Sequence, residues 1–241
     1  MERNTAAERL IIAARELSAA LSDLRFAPPV SHVYNPLTYA WSAHADYLQR
    51  YGGGKKRVVF LGMNPGPFGM VQCGIPFGEV RLARDWLGID APIGKPALLN
   101  PHRPVEGWDC RRSEVSGRRL WGLFQQRYGS AAAFFTEHFV VNYCPLAFFD
   151  HGRNLTPDKL PPTETASLFA ACDEHLRQVI TALQPEWLIA VGLCRSAGTR
   201  RFGRIWRVYR SHSASESGQP GRQPRLGGGG GRPIAGARRV V

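Results

Sequence analysis

The sequence predicts an α/β fold in which a parallel sheet carries helices on both faces. Three short apolar strands separated by stretches of helical periodicity predict it, because parallel neighbours need a long crossover between them. Two of those strands also end in an asparagine or an asparagine loop, and ligands in such folds gather at the carboxyl ends of the strands.

The first element is a helix over residues 5–24, where Leu10, Ile11, Ala14, Leu17, Leu21 and Leu24 recur on one face and Pro28 and Pro29 end it. A Gly-Gly-Gly turn at 52–54 follows, and Lys55 and Lys56 read as a solvated part of it. Residues 57–62, Arg-Val-Val-Phe-Leu-Gly, form a β-branched run that stops at Asn64-Pro65-Gly66-Pro67, which describes a buried strand delivering a tight loop. A helix over 113–128 leads to a second strand over 139–143. A helix over 162–183, opened by Thr156-Pro157 and Pro161-Pro162, leads to a third strand over 187–192.

With 241 residues and 44% apolar side chains, the chain is long enough for a sizeable core. No run of 18 apolar residues occurs and the first ten residues lack a basic start with an apolar stretch, so a soluble cytoplasmic protein without a membrane partner is expected. Cys73, Cys110, Cys144, Cys172 and Cys194 are odd in number and contain no Cys-x-x-Cys pair, so reduced thiols are expected and no metal site. The net charge of +12 divides unevenly. Residues 1–194 carry 20 Lys and Arg against 18 Asp and Glu, whereas residues 195–241 carry 11 Arg against Glu216 alone. The high pI therefore describes a tail, and the division sets a first domain at 1–194 and an Arg/Gly-rich segment at 195–241.

Three positions carry chemistry. In Gly62-Met63-Asn64-Pro65-Gly66-Pro67-Phe68-Gly69-Met70, glycines and prolines fix the backbone around one amide and let something approach closely. The loop is either a rigid turn capped by Asn64 or a holder that aims the Asn64 carbonyl at a water. Phe77, between Pro76 and Gly78, is either core or a flat platform for a planar ring. Asn142, inside an apolar strand, is either a satisfied core amide or a bidentate reader of a base edge, since its NH2 and C=O stand side by side.

Taken in order, several segments are similar to successive motifs of the single-strand-selective monofunctional uracil-DNA glycosylases. They are Tyr34-Asn35-Pro36-Leu37, the loop 62–70, Ile75-Pro76-Phe77-Gly78-Glu79-Val80, Asp85-Trp86-Leu87-Gly88-Ile89, Ser113-Glu114-Val115-Ser116-Gly117, Asn142-Tyr143-Cys144-Pro145-Leu146 and Gly152-Arg153-Asn154-Leu155-Thr156-Pro157. The resemblance implies a three-layer α/β/α sandwich around a parallel four-stranded sheet. It implies that Asn64 orients the hydrolytic water, Phe77 stacks on an extruded uracil and Asn142 reads its edge. Met63, Gly66 and Met70 would line the pocket near uracil C5, and Gly152, Arg153 and Asn154 would touch DNA. The implied partner is uracil-containing DNA, single- or double-stranded, met by a monomer in the cytoplasm at the bacterial nucleoid, with no cofactor and no metal.

The chemistry suits those roles. A base inside a duplex must be flipped out at a cost of roughly a few kcal/mol, less when it is mispaired or single-stranded. Cleaving the glycosidic bond builds positive charge on the sugar and negative charge on uracil O2, which calls for a placed water and a donor to that oxygen. None of Lys55, Lys56, Lys95 and Lys159 falls within the pocket motifs, so water rather than an amine is expected to attack.

The resemblance stops after Gly192. The family continues with a fourth strand, a His-Pro-Ser-Pro loop whose histidine donates to O2, and a helix that wedges into DNA. Here the segment is Arg-, Gly- and Ser-rich with five glycines at 227–231, and it reads as disordered, with the last strand and wedge helix missing. His212, the lone histidine of the segment, is followed by Ser213-Ala214. When residues 210–227 are back-translated with permitted codons and read one nucleotide forward, 17 consecutive positions spell Gly-Arg-Ile-Pro-His-Pro-Ser-Pro-Ala-Ser-Pro-Ala-Ala-Asn-Arg-Gly-Trp. That is a close likeness of the missing segment, and it points to a one-nucleotide frameshift between about codons 193 and 210. The chain as written is then expected to cleave weakly or not at all. A uracil-binding protein that has lost hydrolysis, or a product that does not fold stably, are the other readings.

Overall fold

The computed structural model describes residues 4–191 and the backbone of residues 237–239. In chain order its elements are α1 (Ala6–Leu21), β1 (His32–Tyr34), α2 (Pro36–Tyr39), α3 (Trp41–Tyr51), β2 (Val58–Gly62), α4 (Met70–Cys73) and α5 (Val80–Asp85). They continue with α6 (Val115–Tyr128), α7 (Ala131–Phe135), β3 (His138–Asn142), β4 (Ala147–Asp150), β5 (Arg153–Leu155), α8 (Pro162–Leu183), β6 (Trp187–Ala190) and β7 (Ala237–Arg239).

The main sheet has the order β3-β2-β6-β7, with the first three strands parallel. In register, Phe60 faces Val140 and Gly62 faces Asn142, so the two strands finish side by side. Alternation along each strand sends successive side chains to opposite faces. Phe60 and His138 meet Phe134 of α7, and Phe60 also meets Phe124 of α6. On the other face Phe139 meets Tyr47 of α3, and α1, α3 and α8 pack together there over the strand. The result is the expected three-layer α/β/α sandwich.

The fourth sheet position departs from expectation. It was expected to be parallel, or empty in this chain, yet β7 occupies it and runs antiparallel, pairing Ile189 with Ala237 and Trp187 with Arg239. The edge of β6 presents a row of backbone donors and acceptors that accepts a strand of either direction. The expectations for Cys194 and for the rest of 195–241, including His212 and the wedge helix, lie outside the described residues.

Local sequence explains the ends of α1. Thr5 and Glu8 form a reciprocal capping box, with Glu8 Oε2 accepting from the Thr5 amide at 2.8 Å and Thr5 Oγ1 from the Glu8 amide at 3.2 Å. The helix stops at Leu21 rather than Leu24, because the Ser22 hydroxyl donates to Ala19 O at 2.7 Å and closes the last turn before the Pro28-Pro29 pair is reached. The second sheet, β1-β4-β5, is antiparallel and was not anticipated, since its strands have only three or four residues.

Lys56 corrects the reading of 55–56 as a solvated turn. It is buried, its ammonium donates to the Phe135 carbonyl and its backbone amide donates to Leu183 O at 2.9 Å. Four residues earlier, Gly52 lies close against Leu10 and the Leu48 carbonyl, where a side chain would not fit. Burial pushes the Lys56 pKa down from its ordinary value. Cys73, Cys110, Cys144 and Cys172 are all buried, the first three as free thiols. Among the described residues no helix is long and apolar enough to cross a membrane.

Candidate active site

The site begins where β2 and β3 end together. The parallel ladder continues one step past them, with the Tyr143 amide donating to Gly62 O at 2.9 Å and the Cys144 amide to Met63 O at 2.8 Å, and this fixes Asn142 directly across from Gly62. A Cβ at Gly62 would overlap both Asn142 Oδ1 and Phe77 Cε2. Gly62 is therefore the floor on which an amide and an aromatic ring meet. Asn142 is buried, and its Nδ2 donates to Met70 Sδ at 3.3 Å. A thioether is a weak acceptor, so this amide proton is held without being strongly satisfied.

Phe77 sits in the left-handed region with φ 54°, a costly conformation for a residue with a bulky side chain. Its surroundings hold it there. Gly117 of α6 lies so close that a Cβ would run into the Phe77 carbonyl, and Trp121 Nε1 donates to Pro76 O at 3.2 Å. The Gly78 amide donates to Ile75 O at 2.8 Å. From below, the Cys73 thiol lies 3.6 Å from both Gly69 O and Gly78 O. Burial pushes the Cys73 pKa up to about 12, so the sulfur remains a protonated donor that ties the two loops together. That gives Cys73 a packing role.

The loop after β2 carries Asn64, half-buried, whose Nδ2 donates to Leu146 O at 3.4 Å. With the NH2 end turned to that carbonyl, Oδ1 is the end available to a water. Gly66 and Gly69 both lie against the side chain of Glu114, which sits at the head of α6 and accepts from the Ser116 hydroxyl at 2.9 Å. Buried Gln72 ties the loop to the segment that follows α5. Its Nε2 donates to Pro67 O at 2.9 Å and Pro104 O at 3.1 Å, and its Oε1 accepts from the Glu106 and Gly107 amides at 2.8 and 3.2 Å. All four bonding positions of that amide are used, as burial demands.

The structure thus brings Met70, Phe77 and Asn142 together over Gly62. Asn64, Gly66 and half-buried Met63 lie on the adjoining loop. Gly152, Arg153 and Asn154 stand on a separate element, the β4–β5 hairpin. Gly152 lies against His102, and exposed Arg153 reaches Asp150 at 3.3 Å. Asn154 Oδ1 is buried with no protein partner. Sequence reasoning did not single out Gly62, Gln72, Glu114 or Gly117. The glycine that closes a β-branched run was a readable signal for the first; the others needed a contact between distant segments. Among the described residues no cluster of His, Cys, Asp and Glu is arranged to hold a metal.

Comparison with known proteins adds to this geometry. The model of the uracil DNA glycosylase superfamily matches residues 49–207. Over 186 residues the chain is 47% identical to the single-strand selective monofunctional uracil DNA glycosylase of Mus musculus, covering 77% of this chain and 67% of that protein. It is 45% identical over 186 residues to the Bos taurus protein of the same name, covering 77% of this chain and 68% of the relative. The crystal structure of Pedobacter heparinus SMUG2 is similar in fold, with a TM-score of 0.61 at 18% identity, over 86% of this chain and 83% of that one.

Proposed function

The chain belongs to the uracil-DNA glycosylase superfamily, and we propose that it flips uracil out of DNA, holds it over Gly62 and hydrolyses its glycosidic bond with a water placed by Asn64. Its activity is that of a monofunctional uracil-DNA glycosylase, which releases the base and leaves an abasic site. The observation that carries the site assignment is the meeting of the Phe77 ring and the Asn142 amide on one glycine floor. A flat ring beside a donor–acceptor edge is what a flipped pyrimidine requires.

In this reading Phe77 stacks on the base, while Asn142 donates to uracil O4 through Nδ2 and accepts from N3–H through Oδ1. The uracil oxygen replaces the Met70 sulfur as acceptor, exchanging a weak bond for a stronger one. Cytosine offers the opposite pattern at those two positions and would leave buried groups unpaired. Asn64 holds the attacking water by its carbonyl, with its amide nitrogen tied to Leu146 O. The lysines support a water nucleophile: the Lys56 and Lys95 ammonium groups donate to the Phe135 and Val105 carbonyls, and neither belongs to the pocket. Met63, Gly66 and Met70 bound the uracil C5 side, and the hairpin with Gly152, Arg153 and Asn154 lies along the DNA. The protein acts as a cytoplasmic monomer on single- and double-stranded DNA.

The test is a cleavage assay on uracil-containing single-stranded DNA, with alkali to reveal abasic sites. It compares the 241-residue chain with one in which a single nucleotide is corrected between about codons 193 and 210. The corrected protein should cleave about a hundredfold faster or more, the scale of one missing oxyanion donor. Absence of uracil release from both would refute the assignment. Equal and full rates from both would refute the frameshift.

A further inference from the structure

Four residues beyond Asn64, the loop carries Phe68, and two arginines converge on its ring. Arg112 Cζ lies 4.5 Å and Arg103 Cζ 5.5 Å from the ring centroid. Neither belongs to the pocket described above. Among the described residues neither has a carboxylate within ion-pair distance, and Arg103 Nε is buried with no hydrogen-bond partner at all.

Two cations on one ring repel each other, so the protein must hold them in place, and it does. Gln72 binds Pro67 O and Pro104 O at once, which fixes the residues next to Phe68 and Arg103 against each other. Arg103 is held further through its backbone, its amide donating to Asn100 O at 3.0 Å and its carbonyl accepting from the Tyr34 hydroxyl at 2.9 Å. The neighbouring His102 packs on Gly152 of the β4–β5 hairpin. A path of contacts therefore runs from that hairpin through His102 and Arg103 to Phe68 and Arg112, beside the loop that carries Asn64.

A guanidinium lying over an aromatic face is oriented by the ring while its N–H groups point outward from the contact, ready for an anion. Two such groups without acidic partners match a phosphate, whose oxygens accept from both and whose charge offsets their repulsion. We propose that Arg103 and Arg112, mounted on Phe68, form a phosphodiester clamp that grips the DNA backbone of the strand whose base enters the pocket. This rests on the reading of the pocket as a uracil site. The clamp itself carries no sequence information, because a phosphate contact fixes position and register rather than base identity.

The experiment measures Kd by fluorescence anisotropy for single-stranded DNA with and without one uracil, across a range of salt concentrations. Unsubstituted protein is compared with Arg112→Gln, Phe68→Leu and, as a reference, Arg84→Gln, an arginine already paired with Asp85 at 2.8 Å. Arg112 is exposed, so its replacement leaves packing undisturbed. Arg112→Gln should weaken binding about tenfold at low salt on both strands alike, and reduce the slope of log K against log salt by about 0.7, the value of one single-strand phosphate contact. Phe68→Leu should act in the same direction, and Arg84→Gln should stay within about twofold. A series of strands with one neutral methylphosphonate then locates the grip: unsubstituted protein should lose affinity at one linkage near the uracil, and Arg112→Gln, which keeps only Arg103 on that phosphate, should lose clearly less there. A slope unchanged in Arg112→Gln, a loss confined to the uracil strand, or no linkage sensitive in the unsubstituted protein would overturn the clamp. Failure of the uracil reading shows separately, as equal affinity for the two strands together with no base release.

Discussion

The ends of β2 and β3 lie side by side, yet they contribute to the site in different ways. After β2 the chain is built of backbone conformations and close approaches that ordinary residues do not tolerate: Gly62 under two side chains, Gly66 and Gly69 against Glu114, and Phe77 at φ 54°. β3 itself is regular, and the one amide it brings to the site is that of Asn142, the proposed reader of the base edge. The β2 side supplies the tight geometry together with the Asn64 amide, and the β3 side supplies a single amide on a regular strand. Substitutions should therefore fail in different ways on the two sides.

The largest effect is expected from Asn64→Ala in a frame-corrected protein. Cleavage should fall by about a hundredfold to a thousandfold while binding to uracil DNA stays measurable, because the amide serves the water rather than the base. Single-turnover kinetics beside an equilibrium binding measurement decides it, and near-normal turnover would end the assignment.

Next in size is Gly62→Ala. The added methyl overlaps Asn142 Oδ1 and the Phe77 ring, so both the edge reader and the platform must move. Uracil affinity and turnover should drop together, and overpacking should cost about 1–3 kcal/mol of stability in a denaturant titration. A variant that keeps its affinity would show that the floor can yield and that geometry is not what the β2 side supplies.

Asn142→Asp sharpens the comparison from the other strand. The fold should be nearly unaffected, since the residue lies on a regular strand and its one bond in the free site is to a sulfur. Discrimination between uracil and cytosine should relax by about tenfold or more, the scale of a bidentate base contact. Full uracil activity with no gain on cytosine would reduce Asn142 to a core residue.

The smallest effect concerns pH and the helices behind Asn142. His44 and His175 are buried there, His44 Nδ1 bonded to Gly74 O at 2.8 Å and His175 Nδ1 without a partner. Burial pushes the pKa of each down to about 4; the Gly74 bond offsets part of this for His44, and the charge of His44 adds to it for His175. The unfolded chain binds these protons near the ordinary value of about 6.5 and the folded chain only near 4. Stability is therefore fully present above pH 6.5 and is lost as pH falls toward 4, by up to about 1.4 kcal/mol per pH unit for each histidine. Thermal unfolding followed from pH 7 to pH 4 should show that decline, and His175→Gln should flatten it. A Tm constant over the window would show that these imidazoles are not held neutral.

Much of this was legible in the sequence. The three parallel strands and the long helices were read from periodicity and Gly/Pro punctuation, and ordered motifs picked out Met70, Phe77 and Asn142, which the fold brings together at Gly62, because these signals depend on neighbours in the chain. The short antiparallel sheet was not, since strands of three or four residues carry little pattern. Lys56 was misread for a related reason: a lysine beside a glycine turn looks solvated until the Phe135 carbonyl is found to meet it.

The sequence by itself determined the family and the layered α/β architecture, and it named the residues proposed to meet a pyrimidine, because a run of motifs in order is a property of the chain. Only the tertiary structure decided that Gly62 is the floor shared by Asn142 and Phe77, that Gly117 and Cys73 hold Phe77 in a strained backbone, and that Gln72 sets Arg103 over Phe68. Most of those join segments separated by fifteen to eighty residues, and even the short-range Cys73 contacts depend on how two loops fold together; such contacts are fixed by packing and by the need to satisfy buried polar groups, neither of which is written in any local pattern.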